Sequence, residues 1–238
     1  MTLHTASEGG IVSVVDALLS AFIHAVDSNG WTACHIAAKE GHVEVLRRLV
    51  LAGADVNRAT TDKLGHRPLT VAADYGNAAA IDYLVSAGAV VDLTDAKGFT
   101  ALHCASRYSM GVKAVQCLIR AGANVNLATA NDWGDSPITI AAGNGNAAVV
   151  KALAEAGADV NFARAGDGAS ALVMASQNCR VTAVRVLLSL GADPRLACTD
   201  GNTALAAAKH HNHPAIAKLL EAKLRELAAA AGASRVSE

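Results

Sequence analysis

Glycines recurring at a fixed interval constrain this chain more than any local motif. One series runs Gly30, Gly65, Gly98, Gly134, Gly168 and Gly201, at spacings of 35, 33, 36, 34 and 33 residues. A second runs Gly53, Gly88, Gly122, Gly157 and Gly191, spaced 35, 34, 35 and 34. A period of 33 with small insertions is a repeat signature, and it decides how every shorter motif is read. The best-formed unit runs from Gly30 to Asn57. Ala33, Cys34, Ala37 and Ala38 give its first segment one small apolar face. In its second segment Val43, Val45, Leu46, Leu49 and Val50 recur at helical spacing, with Glu44, Arg47 and Arg48 opposite. Gly53 then stands where a left-handed helix stop disfavours a Cβ. Two helices this short cannot bury a core alone, so each unit needs its neighbours.

The remaining sequence agrees with an aliphatic repeat. The 238 residues are 52% hydrophobic but only 3% aromatic, and alanine, about a fifth of the chain, lets helices approach closely. A formal charge of −1 without a basic block argues against a general nucleic-acid or anionic-membrane binder. No apolar run approaches the roughly 20 residues of a membrane-spanning helix. The first residues show no basic and apolar leader, so no secretory segment is expected. Five cysteines is an odd number without framework spacing. Cys34 and Cys117 occupy aliphatic slots and Cys104 lies on a first helix, which reads as buried reduced thiols in a reducing, cytoplasmic setting.

Asp27 to Asn57 and Asp95 to Asn126 match the pattern D-x-x-G-x-T-P-L-H-x-A-A-x-x-G-H-x-x-V-V-x-L-L-x-x-G-A-D-V-N. Looser copies start at Asp62, Asn131, Ala165 and Cys198. In these residues the chain resembles the ankyrin-repeat family over nearly its whole length. The resemblance implies an all-α solenoid of helix-turn-helix units with short β-hairpin fingers, curved around a concave groove. A single domain over 1–238 is expected, divided at 1–26, 27–59, 60–94, 95–130, 131–164, 165–197 and 198–238. The first and last units are read as caps, because a terminal repeat has one face without a partner. The last begins its second helix at Pro214 and continues it into the alanine-rich tail, with fraying expected after Gly232.

Departures from the pattern carry information. Arg67-Pro-Leu-Thr70 and Ser136-Pro-Ile-Thr139 replace T-P-L-H, and Ser170-Ala-Leu-Val173 departs further. In the family the Thr and His of that motif tie its turn by hydrogen bonds, so weaker turns are expected in 60–94 and 165–197. The unit at 95–130 has one extra residue between its helices, in Tyr108–Gly111. From the Asn57 slot to the next opening glycine the minimum is six residues, as from Asp92 to Gly98. Asn57 to Gly65 and Asn126 to Gly134 take eight, and Asn161 to Gly168 takes seven, so three fingers are extended.

No catalytic constellation emerges. Gly143-Asn-Gly-Asn-Ala-Ala148 has the letters of a dinucleotide fingerprint but lies in register with the turn between two helices, not after a strand. His35 and His103, each beside a cysteine, occupy the structural histidine of the repeat. His210, His211 and His213 form the most metal-like group, yet they fall where a first helix ends in solvent. With no C-x-x-C pair and no G-x-S-x-G elbow, the chain is read as non-enzymatic, without cofactor or metal.

The aromatics are the better signal. Of eight Phe, Trp and Tyr residues, five occupy positions that in the family face the groove. Trp31, Phe99 and Trp133 lie on finger arms and are expected as exposed anchors, Phe99 foremost; Tyr75 and Tyr108 end first helices. With their neighbours, most of them polar, they form the expected protein-binding set. The neighbours are Lys39, Leu64, His66, Asp74, Lys97, Arg107, Asp132 and Asp135. The resemblance implies a scaffold or adaptor, monomeric by itself, that binds a partner protein through this surface and neither nucleic acid nor membrane. A regulatory inhibitor or an effector directed at another organism would use the same surface to occlude its target.

Overall fold

The computed structural model describes residues 2–108 and 111–234. These form helices in pairs, one pair in each expected unit: α1 (Leu3–Glu8) with α2 (Val12–Phe22), α3 (Ala33–Glu40) with α4 (Val43–Leu51), α5 (Pro68–Asp74) with α6 (Ala78–Ser86), and α7 (Ala101–Ser106) with α8 (Val112–Arg120). The series continues with α9 (Pro137–Asn144) and α10 (Ala147–Glu155), α11 (Ala171–Gln177) and α12 (Val181–Ser189), and α13 (Ala204–His210) and α14 (Pro214–Ser234). The extra residue expected in Tyr108–Gly111 involves 109–110, which lie outside the described residues. The fraying expected beyond Gly232 falls on the end of α14, which continues to Ser234, and on 235–238, also outside them.

The chain divides into two compact units. The first comprises Met1–Asn124 with Thr129–Asn131, the second Val125–Ala128 with Asp132–Glu238. In the first, α1, α3, α5 and α7 lie side by side as one layer, and α2, α4, α6 and α8 form the layer behind it. Alanines make the front layer thin: Ala37, Ala38, Ala72, Ala73, Ala101 and Ala105 are all buried. Leu46, Leu49, Ile81, Leu84, Leu102 and Leu118 are fully buried where the layers meet. In the second unit α9, α11 and α13 lie in front of α10, α12 and α14, around Ile138, Leu153, Leu172, Leu187 and Ile216.

Three kinds of side-chain bond stitch neighbouring repeats. At the start of α3, Thr32 N–H donates to His35 Nδ1 at 3.1 Å, and His35 Nε2 meets the His66 carbonyl of the next finger at 3.0 Å. In the loops, Asn57 donates to the Gly88 carbonyl at 3.1 Å and accepts from Val90 N–H at 2.9 Å. In the second unit Asn126 binds Gly157 and Asp159 in the same way. Aspartate in that slot, Asp92, accepts from Asn124 N–H at 3.2 Å, and a carboxylate has no hydrogen to return.

The third stitch runs backward from the N-cap of the second helix to the last turn of the preceding first helix, whose carbonyls have no partner within the helix. His42 reaches the Glu8 carbonyl at 2.8 Å, and Asn77 the Ala38 carbonyl at 3.0 Å. Arg180 reaches Gly143 at 3.2 Å and His213 reaches Gln177 at 3.0 Å.

The fingers are tighter than hairpins. Asp27 N–H meets the Trp31 carbonyl at 3.0 Å and Asp95 N–H the Phe99 carbonyl at 2.9 Å. Among the described residues no strand forms; the only pairings of that kind are the isolated bridges Ala163↔Ser170 and Ala197↔Thr203. Gly30 turns its finger at φ +79°, and a Cβ there would collide with Thr61 of the next finger.

The unit at 60–94 replaces the missing histidine with two residues. Thr70 Oγ1 accepts from Arg67 N–H and donates to the Arg67 carbonyl, both at 2.8 Å, which closes the turn locally. Arg67 supplies the bond to the next finger, donating from Nε to the Thr94 carbonyl at 3.2 Å, and from Nη1 it also reaches the Asn57 carbonyl.

Candidate interaction surface

The first unit carries a cleft of about 460 Å³ where the last turns of α5 and α7 meet. Ala73, Gly76, Ala105 and Gly111 are among its small lining residues, joined by Asp74, Tyr75 and Tyr108. Its origin is visible in the repeat pattern. At the N-cap of α8, where the equivalent positions hold His42, Asn77, Arg180 and His213, stands Gly111. A Cβ at 111 would collide with the Ala105 carbonyl, so the slot is glycine and the backward stitch is absent. Among the described residues no side chain caps the last turn of α5, and space opens in front of it.

The walls are aromatic and charged. Tyr75 and Tyr108 are 55% and 50% exposed, large for aromatic rings in a protein so poor in them. Lys39 Nζ lies 5.5 Å from the Tyr75 ring centroid and 3.0 Å from Glu40 Oε1, which raises its pKa above the ordinary lysine value. The Arg107 guanidinium lies 5.7 Å from the Tyr108 ring centroid and 3.6 Å from Asp74 Oδ1. That distance is an ion pair without a hydrogen bond, and among the described residues the buried Oδ1 has no hydrogen-bond partner. Burial pushes the Asp74 carboxyl above its usual range, against the opposing pull of Arg107 and His66.

The cleft thus brings together Lys39, Asp74, Tyr75, Arg107 and Tyr108 of the expected set. The finger residues do something different. Trp31 is half-buried, its ring 5.8 Å from His35 and 6.5 Å from His66. Phe99, also half-buried, stands edge-on to His103 at 5.8 Å. Both rings cover a buried turn histidine. The Leu64 carbonyl accepts from Ala96 N–H at 2.9 Å, joining two fingers, while Lys97 is exposed.

In the second unit Trp133 is 53% exposed and Asp132 is exposed beside it. Arg164 organises this finger and was not among the expected residues. It donates to both oxygens of Asp167 at 2.6 Å, lies 3.3 Å from Asp135 Oδ1, and stacks 4.9 Å from the Trp133 ring centroid. The Arg164 fork holds the Asp167 carboxyl below the usual carboxylate range. The signal available in sequence was the opposite charges three apart on an extended finger.

Among the described residues no group of three or more His, Cys, Asp or Glu side chains is placed to hold a metal. His210 and His211 pack edge-on at 4.8 Å, and His213 is committed to Gln177. The glycine-rich stretch at 143–148 is the end of α9, its turn and the start of α10. None of the described helices is long and apolar enough to cross a membrane.

A family model described as ankyrin repeats in three copies matches residues 1–60, 58–129, 109–198 and 138–226. The ankyrin repeat protein nuc-2 of Neurospora crassa is 31% identical over 155 residues; the match covers 63% of this chain and 14% of that relative's length. Of solved structures, the human ASB11 ankyrin repeat domain superposes with a TM-score of 0.82 at 23% identity, over 94% of this chain and 97% of that one. The ankyrin repeat domain of Bcl-3 gives a TM-score of 0.77 at 26% identity, over 93% and 98%.

Proposed function

Because this chain belongs to the ankyrin-repeat family, we propose that the interaction module it forms works as a scaffold or adaptor, docking a partner protein on the α5–α7 cleft and the adjoining fingers. One observation carries the reading. In a chain with eight aromatic residues, two tyrosines stand half exposed around one cleft, each with a cation over its ring. Interfaces gain most of their energy from a few such aromatic and arginine anchors, set among polar neighbours that exclude water. Buried leucines and alanines already fill the core, so these rings have no packing task of comparable weight. The role is non-catalytic.

The test is capture of a protein partner from lysate by the full chain, compared with Tyr75→Ala and Tyr108→Ala variants. Retention of a defined protein by the wild type, with loss of about tenfold or more in affinity in either variant, is the expected outcome. A partner held equally by all three chains would place the interface elsewhere, with the Trp133 finger next to be changed.

A further inference from the structure

We infer that the α5–α7 cleft seats an arginine side chain presented by the partner protein, its guanidinium donating to the last turn of α5 and to the Asp74 carboxylate. This rests on the reading of the cleft as an interface and names the chemistry that fills it. The chain supplies its own precedent. At the equivalent place in another repeat, Arg180 lies on the end of a first helix and donates from Nε to the Gly143 carbonyl at 3.2 Å. Gly111, at the N-cap of α8, has no side chain to supply that bond, and among the described residues the cleft lies where such a side chain would stand.

Among the described residues, the acceptors at this space are left for a donor, while the two cations beside it lie over the tyrosine rings. The last-turn carbonyls of α5 carry lone pairs and partial negative charge. Asp74 Oδ1 has no hydrogen-bond partner among the described residues, because Arg107 comes only to 3.6 Å while lying over Tyr108. Lys39, the other nearby cation, is engaged by Glu40 at 3.0 Å. Arginine suits the site better than lysine, since its planar, weakly hydrated fork stacks on tyrosine and donates several bonds at once. The volume, about 460 Å³, sits in the lower part of the ~300–1,000 Å³ range of ligand pockets and suits a side chain with its backbone, not a whole helix.

The experiment titrates the ¹⁵N-labelled full chain with three blocked tripeptides, Gly-Arg-Gly, Gly-citrulline-Gly and Gly-Glu-Gly. The arginine peptide should shift the Gly76 and Ala105 amides, with an affinity at least about tenfold above citrulline, its uncharged isostere. Asp74→Asn should remove that preference while the variant melts as the parent does. Equal binding of arginine and citrulline, tighter binding of the glutamate peptide, or shifts confined to other surfaces would overturn the inference. Two capture results separate it from the wider reading. If the tyrosine variants lose the partner while Asp74→Asn keeps it in full, the arginine is wrong and the interface stands. If no variant at the cleft alters capture, the interface reading falls and takes the inference with it.

Discussion

His35 Nε2 donates to the carbonyl oxygen of His66, 31 residues ahead, at 3.0 Å. Its other ring nitrogen accepts from Thr32 N–H at 3.1 Å, so the ring is neutral with its hydrogen on Nε2. Protonating Nδ1 would forfeit the Thr32 bond inside a site with no solvent exposure. Burial accordingly pushes the His35 pKa down to about 4, although its backbone bonds oppose the shift. Unfolded histidine binds its proton near pH 6.5, so between about 6.5 and 4 the unfolded chain holds more protons and stability falls as pH falls. The full penalty is ~3 kcal/mol, reached below about pH 4. Urea titrations across that range should show a slope flatter by up to one proton in His35→Gln than in the parent. Parallel slopes would exclude His35 as the group responsible.

Two glycines with the same backbone hand should differ sharply. Gly53 sits at φ +91° with nothing within 4 Å of an added Cβ, so Gly53→Ala should cost only the left-handed penalty of about 1–2 kcal/mol. Gly30 adds the collision with Thr61, and Gly30→Ala should cost about 2–5 kcal/mol by chemical denaturation. Equal costs would mean that the neighbouring finger yields freely.

The cysteines should separate by burial. Burial pushes the Cys34 and Cys104 thiols up to about 12, while Cys179 is exposed and Cys198 half-buried. A chromogenic disulfide reagent should modify Cys179 fast and Cys198 more slowly, leaving Cys34 and Cys104 until the chain unfolds. Cys179→Ser should remove the fast phase.

Arg67→Ala should cost about 1–3 kcal/mol, because it removes charge-assisted bonds to two loop carbonyls and leaves Thr70 to close the turn alone. Hydrogen exchange should rise at residues 60–66 and not at 27–35. Unchanged protection would assign the rigidity of this finger to Thr70.

Anchors and core can be told apart by stability. Tyr75→Ala and Tyr108→Ala should each fall within about ±0.5 kcal/mol, and Leu49→Ala, at a fully buried position, should cost about 2–5 kcal/mol.

The helix pairs were legible because the two glycine series mark their borders and aliphatic spacing marks their buried faces. Tyr75, Tyr108, Asp74, Arg107 and Lys39 were legible as residues, since first-helix ends that carry aromatics have no core slot to fill. Their cleft was not. It depends on Gly111 standing where Asn77 and Arg180 reach backward, and a missing bond between residues 37 or 38 apart leaves no local trace. Trp31 and Phe99 read as exposed arms because the histidines that they cover lie four residues on, inside a turn whose closure is three-dimensional. Thr70 likewise read as a lost histidine, and only geometry shows that Arg67, in the threonine slot, took over the outgoing bond.

That substitution bears on how such a chain can be cut and rejoined. Repeats joined solely by a histidine in one and a carbonyl in the next are interchangeable, since any copy offers the carbonyl. Arg67 instead holds the loop at Asn57 on one side and Thr94 on the other, and Asn57 itself grips Gly88 and Val90. A crossover between the second and third repeats would separate partners in both directions, so segment 27–94 should pass intact through recombination or be lost with its fit.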